Sequence, residues 1–286
     1  MVINMNVVKK RRKLKVKNLI AIIIFLVSFI LITISIIFLI KWQIAGNKTK
    51  KLETNILEIT EIIETEDTEN VEIIEQPKEI EKSNPYWDYI KMKLISVNFT
   101  ELKKINNNIK GWIQVNGTNI NYPFVQTDNN EYYLKHTIDD SYNTNGWVFL
   151  DYRNNISKLD KNTIIYAHGN INGTMFGSLK NILESGWYNN INNHVIKIAT
   201  ETENTLWQVF SVYHIPTTND YIQTEFLSNN EFLELTKTLK ERSYYSFDTE
   251  VTENDKILTL STCWNETEKV VLHAKLIKKE LTTNLE

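Results

Sequence analysis

The chain contains a single cysteine, and its place in the sequence suggests covalent chemistry. Cys263 ends the apolar, β-prone run KILTLSTC, and a polar turn follows it. A thiol attacks a carbonyl carbon only as the thiolate, so a nucleophilic cysteine needs a base or a cation close to it. The alternative is a buried cysteine that acts as a small apolar side chain, which is common for free cysteines. The composition leaves both interpretations open.

Histidine is the usual partner of such a thiol. The five candidates are His136, His168, His194, His214 and His273. His168 ends the strongly apolar run TIIYAH and precedes a Gly-Asn turn, which is the same strand-end setting as that of Cys263. His214 also follows a predicted strand, whereas His273 lies inside one, where a structural histidine is expected. We therefore predict that His168 is the partner of Cys263.

A cation near the thiol is the second requirement of this chemistry. Addition of a thiolate to an amide creates an oxyanion, and a fixed positive group aimed at that oxygen stabilises it by several kcal/mol. In a hairpin, the strand after TLSTC would run back beside it, and Lys269 is the basic residue at the start of that strand. A solvated lysine at a strand end is an equally good interpretation of Lys269.

These residues must belong to a domain that follows a membrane anchor. Residues 19–40 carry no charge, and roughly 20 apolar residues are enough for a helix to cross about 30 Å of hydrocarbon. The basic stretch KKRRKLKVK predicts a cytoplasmic tail over residues 1–18, because excess Lys and Arg marks the cytoplasmic side. A cleaved signal peptide is the alternative, but the apolar run is long for a signal core and no small-x-small cleavage site follows it. We predict a single-pass protein of the cell membrane, anchored in lipid, with an extracellular catalytic domain.

The remaining chain divides into an acidic linker and one globular domain. The 286 residues carry a net charge of −3 with ordinary hydrophobic and charged fractions, which is typical of one domain with an added segment. Residues 41–84 are predicted as an acidic stalk, because Glu is frequent and aromatic residues are absent from 47 to 85. Aromatic residues then return, so we place the domain at 85–286. A cysteine without a partner outside the cell suggests a reactive thiol or an intermolecular bridge.

The pattern of the domain predicts a mainly β fold. From Gly111 onward, short segments rich in β-branched and aromatic residues are separated by Asn, Gly and Asp clusters, which favours a barrel or a sandwich. Two helices are predicted before them, over residues 86–97 and 99–107. A further helix is predicted before the cysteine strand, since Ser228 and Glu231 have capping-box spacing.

No other chemistry is predicted from the sequence. There are no Cys/His pairs at ligand spacing, and the acidic residues cluster in the stalk, so we expect no metal site. We also expect no cofactor and no nucleic-acid partner.

Four segments together resemble a known family. TLSTC, a short loop and a basic residue that opens VVLHAKLI resemble the active-site hairpin of sortases, the membrane-anchored cysteine transpeptidases of Gram-positive bacteria. The segments IKGWIQVNGTNINYPFVQTDNNEYYLKH, GWVFLDYRNN, NTIIYAHGNINGTMFGSL and DKILTLSTC are similar to class B segments and occur in the same order. The resemblance covers roughly residues 84–279.

The resemblance implies both a fold and a reaction. The fold would be a closed β-barrel of about eight strands, with N-terminal helices and an inserted helix before the cysteine strand. The enzyme would cut a sorting-signal peptide of surface proteins after its threonine, hold the acyl group as a thioester on Cys263, and pass it to an amine of the peptidoglycan precursor. His168 falls on the catalytic histidine, which would protonate the leaving amine and deprotonate the incoming one.

The resemblance also implies a groove for the sorting signal. By the same matching, the positions that line it are Leu134, Thr217, Tyr221, Ile222 and Ser261.

One departure from the family affects the predicted mechanism. The family uses an arginine after the cysteine, and here Lys269 occupies that position with a shorter loop before it. Either Lys269 replaces the arginine, or activity is impaired, or Arg242 reaches the thiol from elsewhere. Two alternatives to a transpeptidase therefore stay open: a sortase-like protein that binds sorting signals without turnover, and a hydrolytic cysteine protease that uses water as acceptor.

Overall fold

The computed structural model describes residues 16–65, 70–74 and 84–282. The greater part of the predicted basic tail, residues 1–15, lies outside the described residues, as do residues 66–69 and 75–83 of the predicted stalk. The chain separates into two compact units, residues 1–44 and residues 45–286.

Helix α1, Val16–Ile59, begins in the first unit and ends in the second. Within the described residues it is the one helix that is long and apolar enough to cross a membrane. Its side chains from Leu19 to Ile44 are almost all exposed. By length and composition this apolar stretch is that of a membrane anchor or of a signal segment.

The second unit is built mainly from short strands. The strands are β1 (Ile62–Glu64), β2 (Val71–Ile73), β3 (Ile95–Val97), β4 (Ile109–Val115), β5 (Asn121–Val125), β6 (Phe149–Leu150), β7 (Asn162–Tyr166), β8 (Val195–Ala199), β9 (Glu203–Pro216), β10 (Ile257–Cys263) and β11 (Glu268–Leu281). The helices of this unit are α2 (Tyr86–Tyr89), α3 (Thr100–Ile105), α4 (Ser185–Tyr188) and α5 (Asn229–Glu241), with 3-10 turns at Tyr132–Leu134, Gly177–Leu183 and Ile191–Asn193.

Eight of these strands close into a barrel, as the sequence predicts. Their order is β10-β7-β6-β5-β4-β8-β9-β11, and pairing of β10 with β11 completes the ring. Two neighbouring pairs, β5 with β6 and β7 with β10, are parallel, and the other pairs are antiparallel. β2 adds to the edge of β11, while β1 and β3 form a separate two-stranded sheet.

Strands β9, β10 and β11 are buried on both faces, because apolar clusters lie on each side of them. The inner face belongs to the main core, which contains the fully buried Trp112, Trp147 and Trp207. The outer face packs against α5 and the segment before it. This outer cluster contains Phe210, Tyr213, Tyr221, Phe232, Leu239, Ile257 and Val271. Burial on two faces explains the nearly continuous apolar runs of these strands.

The helix inserted before the cysteine strand, α5, is present and capped at its start. Ser228 Oγ accepts a hydrogen bond from the backbone N–H of Glu231 at 3.2 Å. The Glu231 carboxylate accepts from the N–H of Leu227 at 2.6 Å rather than from that of Ser228. The cap therefore uses the two predicted residues, but the Glu231 carboxylate bonds the residue before the N-cap instead of the N-cap residue itself.

The N-terminal helices are shorter than predicted. α2 ends at Tyr89, and residues 95–97 form strand β3, which pairs with β1. The predicted helix over 86–97 is therefore wrong in its second half, since a three-residue apolar run such as Ile95–Val97 fits a strand as well as a helix.

Part of the predicted stalk packs on the domain. Residues 45–59 of α1 belong to the second unit, where Thr49 and Ile56 are buried. Strand β2 pairs with β11, and Glu72 forms an ion pair with Lys279 at 3.0 Å. The composition does not predict this role, because the residues that make the contacts are few and stand among many exposed charged residues.

Candidate active site

Two strand ends meet at one rim of the barrel, and each is followed by a residue that could do chemistry. β7 and β10 run parallel, and their last register pair joins Tyr166 to Ser261. Thr262 Oγ1 extends this pairing by donating to the Ala167 carbonyl at 2.8 Å. The next residue of each segment is His168 on one side and Cys263 on the other. The fold therefore brings these two residues, far apart in sequence, to neighbouring positions.

A glycine after His168 allows this close approach. A Cβ atom on Gly169 would lie 2.4 Å from the Cys263 carbonyl oxygen, which is far inside van der Waals contact. Any larger residue would push the β7 loop away from β10.

Lys269 lies directly beside the thiol. Cys263 and Lys269 are partners in the β10–β11 ladder, and Lys269 Nζ donates to Cys263 Sγ at 3.0 Å. Partners in an antiparallel ladder point to the same face of the sheet, so this contact follows from the hairpin register. Both side chains are half-buried, and Cys263 is a free thiol.

One ring nitrogen of His168 is hydrogen-bonded to the protein backbone. His168 Nε2 lies 2.8 Å from the Leu134 carbonyl oxygen. A carbonyl oxygen can only accept a hydrogen bond, so Nε2 carries the proton and Nδ1 is left for proton transfer. His168 is half-buried and reachable from solvent.

The five predicted groove residues lie around these two strand ends. Ser261 precedes Cys263 by two positions on the same face of β10, and its Oγ lies 2.9 Å from Tyr221 Oη. Both residues are buried, and burial raises the pKa of Tyr221 above its ordinary value, so the phenol stays neutral. Thr217 N donates to the Thr267 carbonyl at 2.8 Å, in the turn after Cys263. Leu134 contributes the carbonyl that holds His168.

The loop that carries Ile222 is held by Arg153. Its Nη2 donates to the Ile222 carbonyl at 2.9 Å and to Asp151 Oδ2 at 2.7 Å. Burial alone would raise the pKa of Asp151, but hydrogen bonds from Arg153 and Tyr166 outweigh it and lower that pKa. Asp151 is thus a buried anion that fixes the orientation of Arg153.

Arg242 does not reach the thiol. Its guanidinium forms a bidentate ion pair with Asp220, with distances of 3.0 and 2.6 Å. The expectation that Arg242 could replace the family arginine is therefore wrong, because this fork is already occupied. The cation beside Cys263 is Lys269.

Sequence reasoning missed the residues around Trp264. This exposed indole, directly after Cys263, has Lys180 Nζ at 5.2 Å from its ring centre and the His214 ring at 5.2 Å. Lys180 Nζ also donates to the Trp264 carbonyl at 3.0 Å, and His214 Nε2 lies 3.0 Å from Glu268 Oε1. No spacing in the sequence links Lys180 to this turn, because it comes from the 3-10 segment after His168.

His273 is a structural histidine, as its place inside a strand suggests. Its ring is fully buried, with Nε2 at 2.8 Å from Tyr213 Oη and Nδ1 at 2.9 Å from Thr259 Oγ1. Burial, together with the positive charge of Arg242, lowers the pKa of His273 to about 3. This histidine is neutral and serves the packing of the outer cluster.

Comparison with known proteins places this architecture in a family. A family model described as "Sortase domain" matches residues 113–277. Sortase B of Staphylococcus aureus (strain NCTC 8325 / PS 47) is 36% identical over 184 residues, which cover 63% of this chain and 75% of the relative. The solved "Staphylococcus aureus sortase B-substrate complex" is 35% identical with a TM-score of 0.59, covering 63% of this chain and 84% of that one. A solved complex of sortase B with triglycine is also 35% identical, with a TM-score of 0.60 and coverages of 63% and 85%.

Proposed function

This chain belongs to the sortase family as a sortase B-type cysteine transpeptidase, and on that basis we propose which bond it cuts and which residues cut it. It cleaves a sorting signal of surface proteins after a threonine and joins the new acyl group to an amine of the peptidoglycan precursor. The observation that carries the proposal is the 3.0 Å contact between Lys269 Nζ and Cys263 Sγ, with His168 at the neighbouring strand end.

In the first half of the reaction, the Cys263 thiol gives its proton to His168 Nδ1, and the resulting thiolate attacks the carbonyl carbon of the threonine. The C–N bond then breaks, and the leaving amine takes a proton from His168 Nδ1. The acyl group remains on sulfur as a thioester. The bond from His168 Nε2 to the Leu134 carbonyl keeps the ring oriented during this transfer.

In the second half, the acceptor amine attacks the thioester and gives a proton back to His168 Nδ1. The C–S bond breaks, and Cys263 leaves as a thiolate, which the Lys269 ammonium stabilises. The same cation is close enough to the reacting carbon to stabilise the oxyanion of each tetrahedral intermediate. Lysine supplies the charge as a point, without the bidentate fork of an arginine.

The sorting signal occupies the groove formed by the loop after β9 and the end of β10. The buried pair Tyr221 and Ser261 forms its floor, while Leu134, Thr217 and Ile222 form its walls. Relatives solved as a substrate complex and as a complex with triglycine support a peptide ligand and an amine acceptor. We further propose that residues 19–40 anchor the enzyme in the cell membrane with residues 1–18 in the cytoplasm. The compact unit that begins at Ala45, with the catalytic domain of residues 85–286, then lies outside the cell.

A second candidate function follows from Lys269 itself. A protein with lysine in the arginine position could bind sorting signals without turning them over, since part of the family's hold on the substrate is missing. This candidate predicts measurable binding of the peptide with no product.

The test uses the full chain in detergent micelles with a fluorogenic Asn-Pro-x-Thr-type peptide. Wild-type protein should cleave the peptide, and added triglycine or a diamino acid should appear in a transpeptidation product. Cys263→Ala should bind the peptide but not cleave it. Equal cleavage by Cys263→Ala would refute the proposed nucleophile. Binding without cleavage by the wild type would favour the second candidate, and cleavage without an amine product would favour a hydrolase.

A further inference from the structure

We propose that Thr49, on the last part of α1, is a positioning residue for His168. The inference rests on the proposed function of His168, but it concerns a residue outside the segment that the family model matches. Residues 45–59 are called the bracing segment here.

In the bracing segment, all of which the structure describes, the Thr49 hydroxyl is the only polar group that is both fully buried and fully hydrogen-bonded. It donates to the Ala45 carbonyl at 3.1 Å. It accepts from the side-chain amides of Asn143 and Asn145, each at 3.1 Å. A hydroxyl has one hydrogen and two lone pairs, so its bonding capacity is used completely.

The two asparagines belong to a turn that fixes the residues around Leu134. Asn143 N donates to the Lys135 carbonyl at 2.9 Å, and Trp147 N donates to the Tyr133 carbonyl at 2.9 Å. These bonds hold the backbone on both sides of Leu134. The Leu134 carbonyl is the acceptor for His168 Nε2, so the position of the turn sets the position of the imidazole.

The same turn contacts the His168 ring and its loop directly. Gly146 has a φ of +60°, and a Cβ at this position would lie 3.0 Å from His168 Cδ2 and 2.4 Å from the Tyr133 carbonyl oxygen. The backbone of the turn therefore lies against the edge of the imidazole. Asn170, two residues after His168, donates through Nδ2 to the Asn145 carbonyl at 3.4 Å.

The bracing segment has two further contacts with these loops. Lys48 Nζ donates to Ser141 Oγ at 2.9 Å, and Gly46 lies close to the Asn172 side chain. The contacts thus reach both the loop before the 143–147 turn and the loop after His168. Small displacements of a catalytic group reduce rates strongly, so removal of the buried Thr49 hydroxyl should be visible in turnover.

The experiment compares Thr49→Val, Thr49→Ser and Thr54→Val in the full chain in detergent micelles. Thr49→Val keeps the shape but removes the hydroxyl that accepts from both amides. Asn143 Nδ2 then keeps only its bond to the Ala45 carbonyl at 3.2 Å, and kcat should fall about tenfold. KM for the sorting-signal peptide should rise by a smaller factor than the one by which kcat falls, because Leu134 is the one groove residue that the turn holds, whereas Tyr221 and Ser261 belong to other segments. Thr49→Ser restores the hydroxyl and should recover kcat to within about twofold of the wild type. Thr54 is exposed on the same helix, and its hydroxyl donates to the Lys50 carbonyl of that helix at 3.1 Å, so Thr54→Val should leave kcat unchanged.

A second measurement does not depend on any sorting signal. In protein labelled with ¹⁵N-histidine, the Nε2–H signal of His168, assigned with His168→Gln, should be protected from exchange with water. Thr49→Val should remove that protection, and Thr49→Ser should keep it. If the wild type turns over no peptide, the proposed function fails and this spectrum alone decides the positioning role.

The inference is overturned if Thr49→Val lowers kcat no more than Thr54→Val, or if the His168 signal is the same in Thr49→Val and the wild type. Should Thr49→Val fail to accumulate as folded protein, Asn145→Ala removes one of the two amides instead. It should give the same loss of kcat and of protection, and normal values in Asn145→Ala would overturn the inference.

Discussion

At the scale of single residues, the proposed chemistry depends on Lys269, whose ammonium group the hairpin register places 3.0 Å from the sulfur of Cys263. The contact between Cys263 and Lys269 could be predicted, because two strands joined by a short turn pair as a hairpin. The strand-end setting of His168 is visible in the sequence, but the parallel pairing of β7 with β10 that brings it near Cys263 is not. The Leu134 carbonyl and Lys180 could not be predicted. They come from irregular segments, whose backbone path depends on packing rather than on any local periodicity.

Replacement of Lys269 tests whether its positive charge contributes to catalysis. Lys269→Met removes the charge with little change in volume, and kcat/KM should fall on the order of 100-fold, because the thiolate and the oxyanion lose their positive neighbour. Lys269→Arg should be at least as active as the wild type, since a guanidinium adds a second donor. Cleavage of the fluorogenic peptide measures both. Unchanged activity in Lys269→Met would contradict the proposed role.

The buried His273 predicts how stability depends on pH. Its pKa is about 3 in the folded protein and about 6.5 when unfolded. Between these values the unfolded chain binds a proton that the folded chain does not, so the free energy of unfolding decreases as pH falls from 6.5 to 3. The decrease is at most about 1.4 kcal/mol per pH unit. Buried His194, whose pKa is also lowered by burial, acts in the same direction.

Urea unfolding at pH 7.5, 6 and 5 measures this dependence. The decrease between pH 6 and 5 should be clearly smaller in His273→Gln than in the wild type, whatever the variant costs in absolute stability. Parallel curves for the two proteins would show that another group is responsible.

At the scale of elements, strands and α5 follow the sequence patterns closely, whereas short elements do not. The capping pair at Ser228 and Glu231 is local information, and it predicts the start of α5. The sequence pattern favours a helix where strand β3 lies, because three apolar residues carry too little periodicity to decide. Its strand conformation depends on β1, a partner that lies within the acidic segment.

Loss of the α5 cap should destabilise the protein measurably. Ser228→Ala removes the acceptor for the Glu231 N–H, which costs roughly 1 kcal/mol at a helix N-cap. Ser228→Asp keeps an acceptor at the same place and should retain wild-type stability. The midpoint of urea unfolding reports both changes, and equal midpoints for Ser228→Ala and Ser228→Asp would argue against the cap.

At the scale of the whole molecule, the boundary of the folded unit was the least predictable feature. Composition suggested a domain from residue 85, but the compact unit begins at Ala45. A Glu-rich segment with only a few apolar residues has the composition of a solvated linker. The contacts of Thr49, Ile56 and strand β2 are long-range and leave no pattern in the local sequence.

Two truncated proteins test this boundary. A protein that starts at Ala45 keeps the bracing segment and strands β1 and β2, whereas one that starts at Asn84 lacks them. The longer protein should melt about 5 °C higher, because burial of Ile56 alone contributes about 1.5–3 kcal/mol. Each kcal/mol shifts the midpoint by roughly 2–4 °C in a domain of this size. Identical melting curves would mean that residues 45–83 add no stability.

The closing of the barrel by β10 also determines when the enzyme becomes reactive during its synthesis. β10 pairs with β7 on one side and with β11 on the other. β11 follows β10 directly in the chain, but β7 is distant: the hydrogen bond between Ala167 and Thr262 joins residues 95 positions apart. Contacts of such high contact order form slowly and late. His168 and Cys263 therefore become neighbours only after almost the whole chain has been synthesised and the barrel has closed.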